Sequence, residues 1–144
     1  MAIYLDYAAT TPVRPEVVET ITSSLSQLYG NPSSTYQLGK SAKYALNQAR
    51  ESIAQDLGLA SASCLYFTSG ATEANNWAIW SQAQNALAAG KARHIVALAV
   101  EHPSVDLALK RLEEQGWTIS WIQPQDGGSD QDLIDQFLAA SQED

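Results

Sequence analysis

The chain has 144 residues, 45% of them hydrophobic and 17% charged, a composition that belongs to a globular domain with a core and excludes a disordered segment. Acidic residues number 16 against 8 basic ones, a net charge of −8; no Lys/Arg cluster exists to neutralise a nucleic-acid backbone or an anionic membrane, so neither is expected as a partner. One cysteine allows no disulfide within the chain and suits a reducing compartment, and nothing near Met1 reads as a signal peptide, so the expected location is cytoplasmic.

Ile3, Tyr4 and Leu5 open the chain, and the small residues and proline of Asp6–Pro12 mark an arm or edge segment. Pro15 suits the first position of a helix on which Val17, Val18, Ile21, Leu25 and Leu28 recur at helical spacing, ending at Gly30. Asn31-Pro32-Ser33-Ser34 is a turn cluster. A second helix is expected from about Lys40 to Leu57, with Ala42, Ala45, Leu46, Ala49, Ile53 and Leu57 on one stripe and Gly58 closing it.

Cys64 to Phe67 reads as a short buried strand. Thr68, Ser69 and Gly70 punctuate it, and a helix from Ala71 runs to about Ala89, with apolar residues round much of its circumference. His94 to Val100 is an apolar strand, and Glu101-His102-Pro103 leads from it into a helix stopped by Gly116. Trp117 to Ile122 forms a third strand, 124–129 a loop, and Leu133, Ile134, Phe137 and Leu138 mark a last helix. The acidic residues Asp126, Asp130, Asp132, Asp135, Glu143 and Asp144 crowd this end and read as a solvated face. The fold class is α/β: an N-terminal arm and helices over 1–60, then βαβαβα units of a parallel sheet over 61–144, the whole forming one incomplete domain.

With Gly70 as N-cap, Glu73 falls at the third helical position, from which a carboxylate reaches back to the cap amide. The corner gathers unpaired N–H groups, a positive helix end and the hydroxyls of Ser69 and Thr72, which together suit an anion, phosphate above all. It matches neither of the glycine-rich nucleotide patterns, and a corner that merely joins strand to helix is its plainer reading. In a parallel sheet ligands sit beyond the carboxyl ends of the strands, so this corner and His102 should face one crevice. His102 caps a helix, where an imidazole tends to stay neutral and can lie against a ring or exchange a proton; a capping histidine with no further role is the plainer alternative. His94 is expected at the surface on the opposite side. Cys64 reads as a small buried hydrophobe, no metal site is expected, and Lys40, Lys43, Lys91 and Lys110 lie among polar neighbours, unlike a Schiff-base amine.

Taken in order, YLDYAATTP at Tyr4–Pro12, GNPSS at Gly30–Ser34, FTSGATEANN at Phe67–Asn76 and EHPSV at Glu101–Val105 resemble the cysteine desulfurases. These are class V aminotransferase-like members of the fold-type-I pyridoxal-phosphate enzymes. The resemblance implies that Ala71 and Thr72 hold the cofactor phosphate, and that His102 stacks over the pyridine ring and shuttles protons. It further implies that sulfur is removed from L-cysteine, giving L-alanine and an enzyme persulfide for Fe–S cluster assembly or another acceptor or scaffold protein. A homodimer with active sites near the subunit contact is implied as well. Tyr36 stands in the region where the family often has a histidine. The family's Schiff-base lysine, ring-nitrogen aspartate and persulfide cysteine match nothing here. The chain is therefore expected to be the N-terminal third of such an enzyme, inactive without the rest of the polypeptide. The alternatives are a truncated or split module that binds or dimerises without catalysis, and a related class V enzyme such as a selenocysteine lyase or an aminotransferase.

Overall fold

The computed structural model describes residues 3–124 and 128–141. Of the acidic residues near the C-terminus, Asp126, Glu143 and Asp144 lie outside the described residues, as does the middle of the 124–129 loop. The chain divides between Tyr66 and Phe67 into two compact units.

The first unit holds helix α1 (Pro15–Gln27), helix α2 (Gln37–Asp56) and a single 3-10 turn at Ala62–Cys64. Helix α1 starts where expected because Pro15, which lacks an N–H to lose, fills its first position after an extended Arg14. None of its residues is buried, so its apolar stripe of Val18, Ile21 and Leu25 faces outward. Helix α2 begins one turn earlier than its alanine stripe suggested, at Gln37, because the GNPSS turn is built against its start. A Cβ on Gly39 would lie 2.6 Å from the Ser34 carbonyl oxygen and 2.7 Å from that of Asn31. A Cβ on Gly30 would in turn meet the Leu38 carbonyl oxygen at 2.5 Å. The two glycines let turn and helix backbones touch, and Asn31 braces the turn by accepting the Ser33 N–H on its side chain at 2.9 Å and the Ser34 N–H on its carbonyl at 3.0 Å.

The second unit runs helix α3 (Ala71–Ala88), strand β1 (His94–Leu98), helix α4 (Pro103–Glu114), strand β2 (Thr118–Ile122) and helix α5 (Asp130–Ala140). The strands pair in parallel, His94 opposite Thr118 through Leu98 opposite Ile122, with α4 as the crossover that parallel neighbours need. Leu112, fully buried, sits at the centre of a cluster with Ala83, Leu109, Trp117 and Ile119, against which Ile79, Trp80, Leu87, Ile95 and Val105 pack. This core joins α3 and α4 to the sheet and fixes where their first turns lie. Helix α5 is closed by a reciprocal capping box between Ser129 and Asp132.

The α/β class with a parallel sheet holds, but its first strand does not form. Residues 62–64 make the 3-10 turn, Leu65 is extended without a sheet partner, and Tyr66 and Phe67 are exposed rather than buried. A strand exists only through a neighbouring edge, and the described sheet has two strands, β1 and β2. Cys64 is accordingly an exposed thiol, not a buried hydrophobe. His94 also departs from expectation: half-buried at the start of β1, its Nε2 lies 2.8 Å from Ser120 Oγ. No described helix is long and apolar enough to cross a membrane.

Candidate active site

Helix α3 is N-capped by Gly70, and its ladder begins with the Ala74 N–H donating to the Gly70 carbonyl at 3.2 Å. The amides of Ala71, Thr72 and Glu73 precede that first bond and project from the positive end of an 18-residue helix. Ala71 and Thr72 are exposed. Thr68 closes the turn by donating its hydroxyl to the Gly70 carbonyl at 3.1 Å.

Glu73 does not bond to the Gly70 amide. Its carboxylate accepts the backbone N–H of Ser69 at 2.6 Å and the Ser69 hydroxyl at 2.7 Å, one residue further back, because the extended Gly70 carries its own N–H away. These two bonds, the backbone one first, hold the Glu73 carboxyl below the usual carboxylate range. Ser69 is thereby engaged, and an anion at this corner would meet the amides of residues 71 and 72 and the Thr72 hydroxyl instead. That donor set fits a phosphate, which takes hydrogen bonds from several sides and gains from the helix end.

His102 is the N-cap of α4, exposed and extended. Its Nδ1 accepts the Ser104 backbone N–H at 3.1 Å and lies 2.9 Å from Ser104 Oγ. Ser104 is the one buried polar side chain among the described residues, 7% exposed. It also receives the Asn75 side-chain N–H on its hydroxyl at 2.9 Å, while Asn76 donates to its carbonyl at 3.3 Å and to the Thr72 carbonyl at 2.9 Å. Asn75 and Asn76 lie one turn into α3, so these bonds bring the start of α3 and the start of α4 to the same end of the unit. Ala71, Thr72 and His102 thus share that end.

Asn75, Asn76 and Ser104 escaped the sequence reading. Their one signal is a polar pair at the start of a helix whose apolar residues spread round much of its circumference. A cavity of about 440 Å3 runs along α3 and β1, walled mostly by apolar side chains such as Ile79, Ile95, Leu109 and Trp117, with Gln82 and His94 as its polar members. None of Ala71, Thr72 or His102 lines it. Among the described residues no group of His, Cys, Asp and Glu is placed to hold a metal ion. Lys110 is held 2.9 Å from Asp106 on α4.

Comparison with known proteins adds four findings. The aminotransferase class-V family matches residues 3–143. A cysteine desulfurase IscS of Methanosarcina thermophila is 44% identical over 121 residues, 84% of this chain and 29% of that protein. A selenocysteine lyase of Homo sapiens is 37% identical over 154 aligned positions, 96% of this chain and 34% of that protein. Among solved structures, one described as SspA in complex with cysteine superposes with a TM-score of 0.75 at 36% identity, over 85% of this chain and 34% of that one. The chain spans about a third of the length of the curated relatives it matches, and it corresponds to the N-terminal portion of the domain. The fold is that of the fold-type-I pyridoxal-phosphate enzymes. The match of the aminotransferase class-V family along nearly the whole chain, on a parallel α/β scaffold shared with solved members of that fold, places this chain in the class-V aminotransferase family, whose enzymes work with pyridoxal phosphate.

Proposed function

We propose that this chain is the phosphate-and-histidine part of a cysteine desulfurase. The observation that supports the reading is the joining of α3 to α4 through Ser104, which brings the first turn of α3, where residues 71 and 72 lie, and the first turn of α4, capped by His102, to one end of the unit. In this reading Ala71 N–H and the Thr72 N–H and hydroxyl hold the cofactor phosphate. Pyridoxal phosphate, when bound, supplies the electron sink that labilises bonds at the substrate's α-carbon. His102 faces the cofactor ring and handles protons at Nε2, since its Nδ1 already accepts from Ser104. The sulfur of L-cysteine passes to a thiol, and the carbon it leaves takes a proton, giving L-alanine and a persulfide for an acceptor or scaffold protein in Fe–S cluster assembly.

Cys64, though exposed, lies in the first unit at the 3-10 turn and has no neighbouring base among the bonds seen there. The lysine that binds the cofactor and the thiol that receives sulfur come from further polypeptide, the enzyme acts in the cytoplasm as a homodimer, and the 144 residues alone turn nothing over. Absorbance titration with pyridoxal phosphate, borohydride reduction and intact mass test this, alongside assays for alanine and sulfide. A stoichiometric reducible adduct on a lysine of this chain, with turnover, would overturn the division of labour; cofactor binding without an adduct is the expected result.

A selenocysteine lyase is the second reading, favoured by the human relative's match over 96% of the chain. Turnover of L-selenocysteine with L-cysteine left untouched would establish it in place of the first.

A further inference from the structure

His102 is held by more than its own helix. Two donors converge on Nδ1. One is the backbone N–H of Ser104 at 3.1 Å, the ordinary bond of a capping side chain. The other follows from counting the protons on the Ser104 hydroxyl. Asn75 points an N–H at that oxygen from 2.9 Å, and an amide nitrogen donates only. The single hydroxyl proton is therefore free to run the other way, toward Nδ1 at 2.9 Å. A ring nitrogen that accepts two donors carries no proton of its own, so the neutral ring keeps its proton on Nε2.

Ser104, which carries this hydroxyl, is buried as a residue, so water does not stand in readily for either partner. The Asn76 bond to the Ser104 carbonyl at 3.3 Å already ties the two helices together. A hydroxyl set between Asn75 and the histidine adds direction to that tie.

We propose that Asn75 and Ser104 are positioning residues, a donor relay from α3 that fixes the His102 ring as its Nε2–H tautomer and aims that proton into the site. The inference rests on the desulfurase-type reading for what the proton is used for, but not for its existence. In the reaction the relay leaves Nε2 as the atom that gives up or regains a proton, and keeps Nδ1 out of the chemistry.

The test is nitrogen-15 NMR of the protein, without cofactor, labelled on its histidine rings, with the His102 signals assigned by their loss in His102→Gln. The two-bond correlation pattern distinguishes a bare Nδ1 from a protonated one. The expected result is the Nε2–H pattern in the parent. Ser104→Ala removes one neutral donor and should shift the tautomer ratio toward Nδ1–H about fivefold. Asn75→Asp turns the donor into an acceptor and reverses the hydroxyl, so the ratio should move the same way and at least as far. This second variant keeps a polar group of the same size at position 75, and it carries the test alone if Ser104→Ala does not fold. A parent ring protonated at Nδ1 overturns the proposal. So does a parent ratio retained in Ser104→Ala or Asn75→Asp, which would make the network helix packing and nothing else. In the longer polypeptide that supplies the lysine and the thiol, a locked ring without release of alanine or sulfide supports the relay and refutes the desulfurase reading; turnover there with an unlocked ring does the reverse.

Discussion

Substituting Gly39 by alanine sets two opposed effects against each other. Gly39 lies inside α2, where alanine is the better residue by about 1 kcal/mol. The added Cβ would meet the carbonyl oxygens of Ser34 and Asn31 at 2.6 and 2.7 Å and Ser34 Cβ at 2.8 Å. Ordinary contact needs about 3.4 Å, so both carbonyls must retreat by roughly 0.7 Å, taking with them the Asn31 bonds that brace the turn. None of these atoms is the free end of a flexible side chain. Crowding of this kind costs about 1–3 kcal/mol, and displacing two backbone carbonyls at once puts it in the upper part of that range, about 2–3 kcal/mol; the net is a destabilisation of roughly 1–2 kcal/mol after the helix preference is deducted. For a unit of this size that lowers Tm by about 4–8 °C per kcal/mol. The assay is thermal and urea unfolding of Gly39→Ala beside the parent, followed by circular dichroism at high dilution. A Tm equal to or above the parent's would show that the turn yields freely and that the close approach of the two backbones is not what requires glycine.

Three further outcomes are expected. Glu73→Gln should lower the urea midpoint at neutral pH and leave it unchanged in acid. The Glu73 carboxyl is held below its ordinary value of 4.5 by the Ser69 bonds, so its contribution is present above that value and is lost as pH falls through the folded-state value; a parent–variant difference independent of pH between 3 and 7 would count against the Ser69 cap. Leu112→Ala, at a side chain with 0% exposure amid Leu109, Trp117 and Ile119, should cost about 2–5 kcal/mol by denaturant unfolding, and a loss under 1 kcal/mol would mean the cluster is not the core of its unit. On the proposed desulfurase reading, His102→Gln in the longer polypeptide should lower kcat by about 10²–10⁴ while the absorbance titration still shows cofactor binding; a normal kcat would remove His102 from the proton work.

The features legible in the sequence are those whose cause is local. Pro15 and Pro103 start α1 and α4 because a residue without an N–H belongs where that N–H has no partner. Gly70 opens α3, and HIVAL reads as a strand from its composition. What stayed hidden depends on partners far along the chain. CLYF has the composition of a buried strand, yet its pairing edge is not among the described strands, so composition alone could not make it one. Glu73 sits at the expected helical position but bonds one residue further back, a choice made by the extended Gly70 backbone rather than by spacing.

The Ser104 relay spans 29 residues in sequence and follows neither helical nor strand periodicity, so no pattern along the chain could mark it. Even so, its three members lie within the two motifs, FTSGATEANN and EHPSV, whose places at the expected carboxyl ends of parallel strands suggest a shared crevice. In each motif the sequence reading singled out the residues that would touch a ligand, Ala71 and Thr72 in one and His102 in the other. The residues between and beside them read as ordinary helix. Their work is to bind one motif to the other. A motif pair of this kind is therefore constrained twice, by what it presents to the ligand and by the bonds that keep its halves in register, and only the first constraint can be inferred before the halves are seen together.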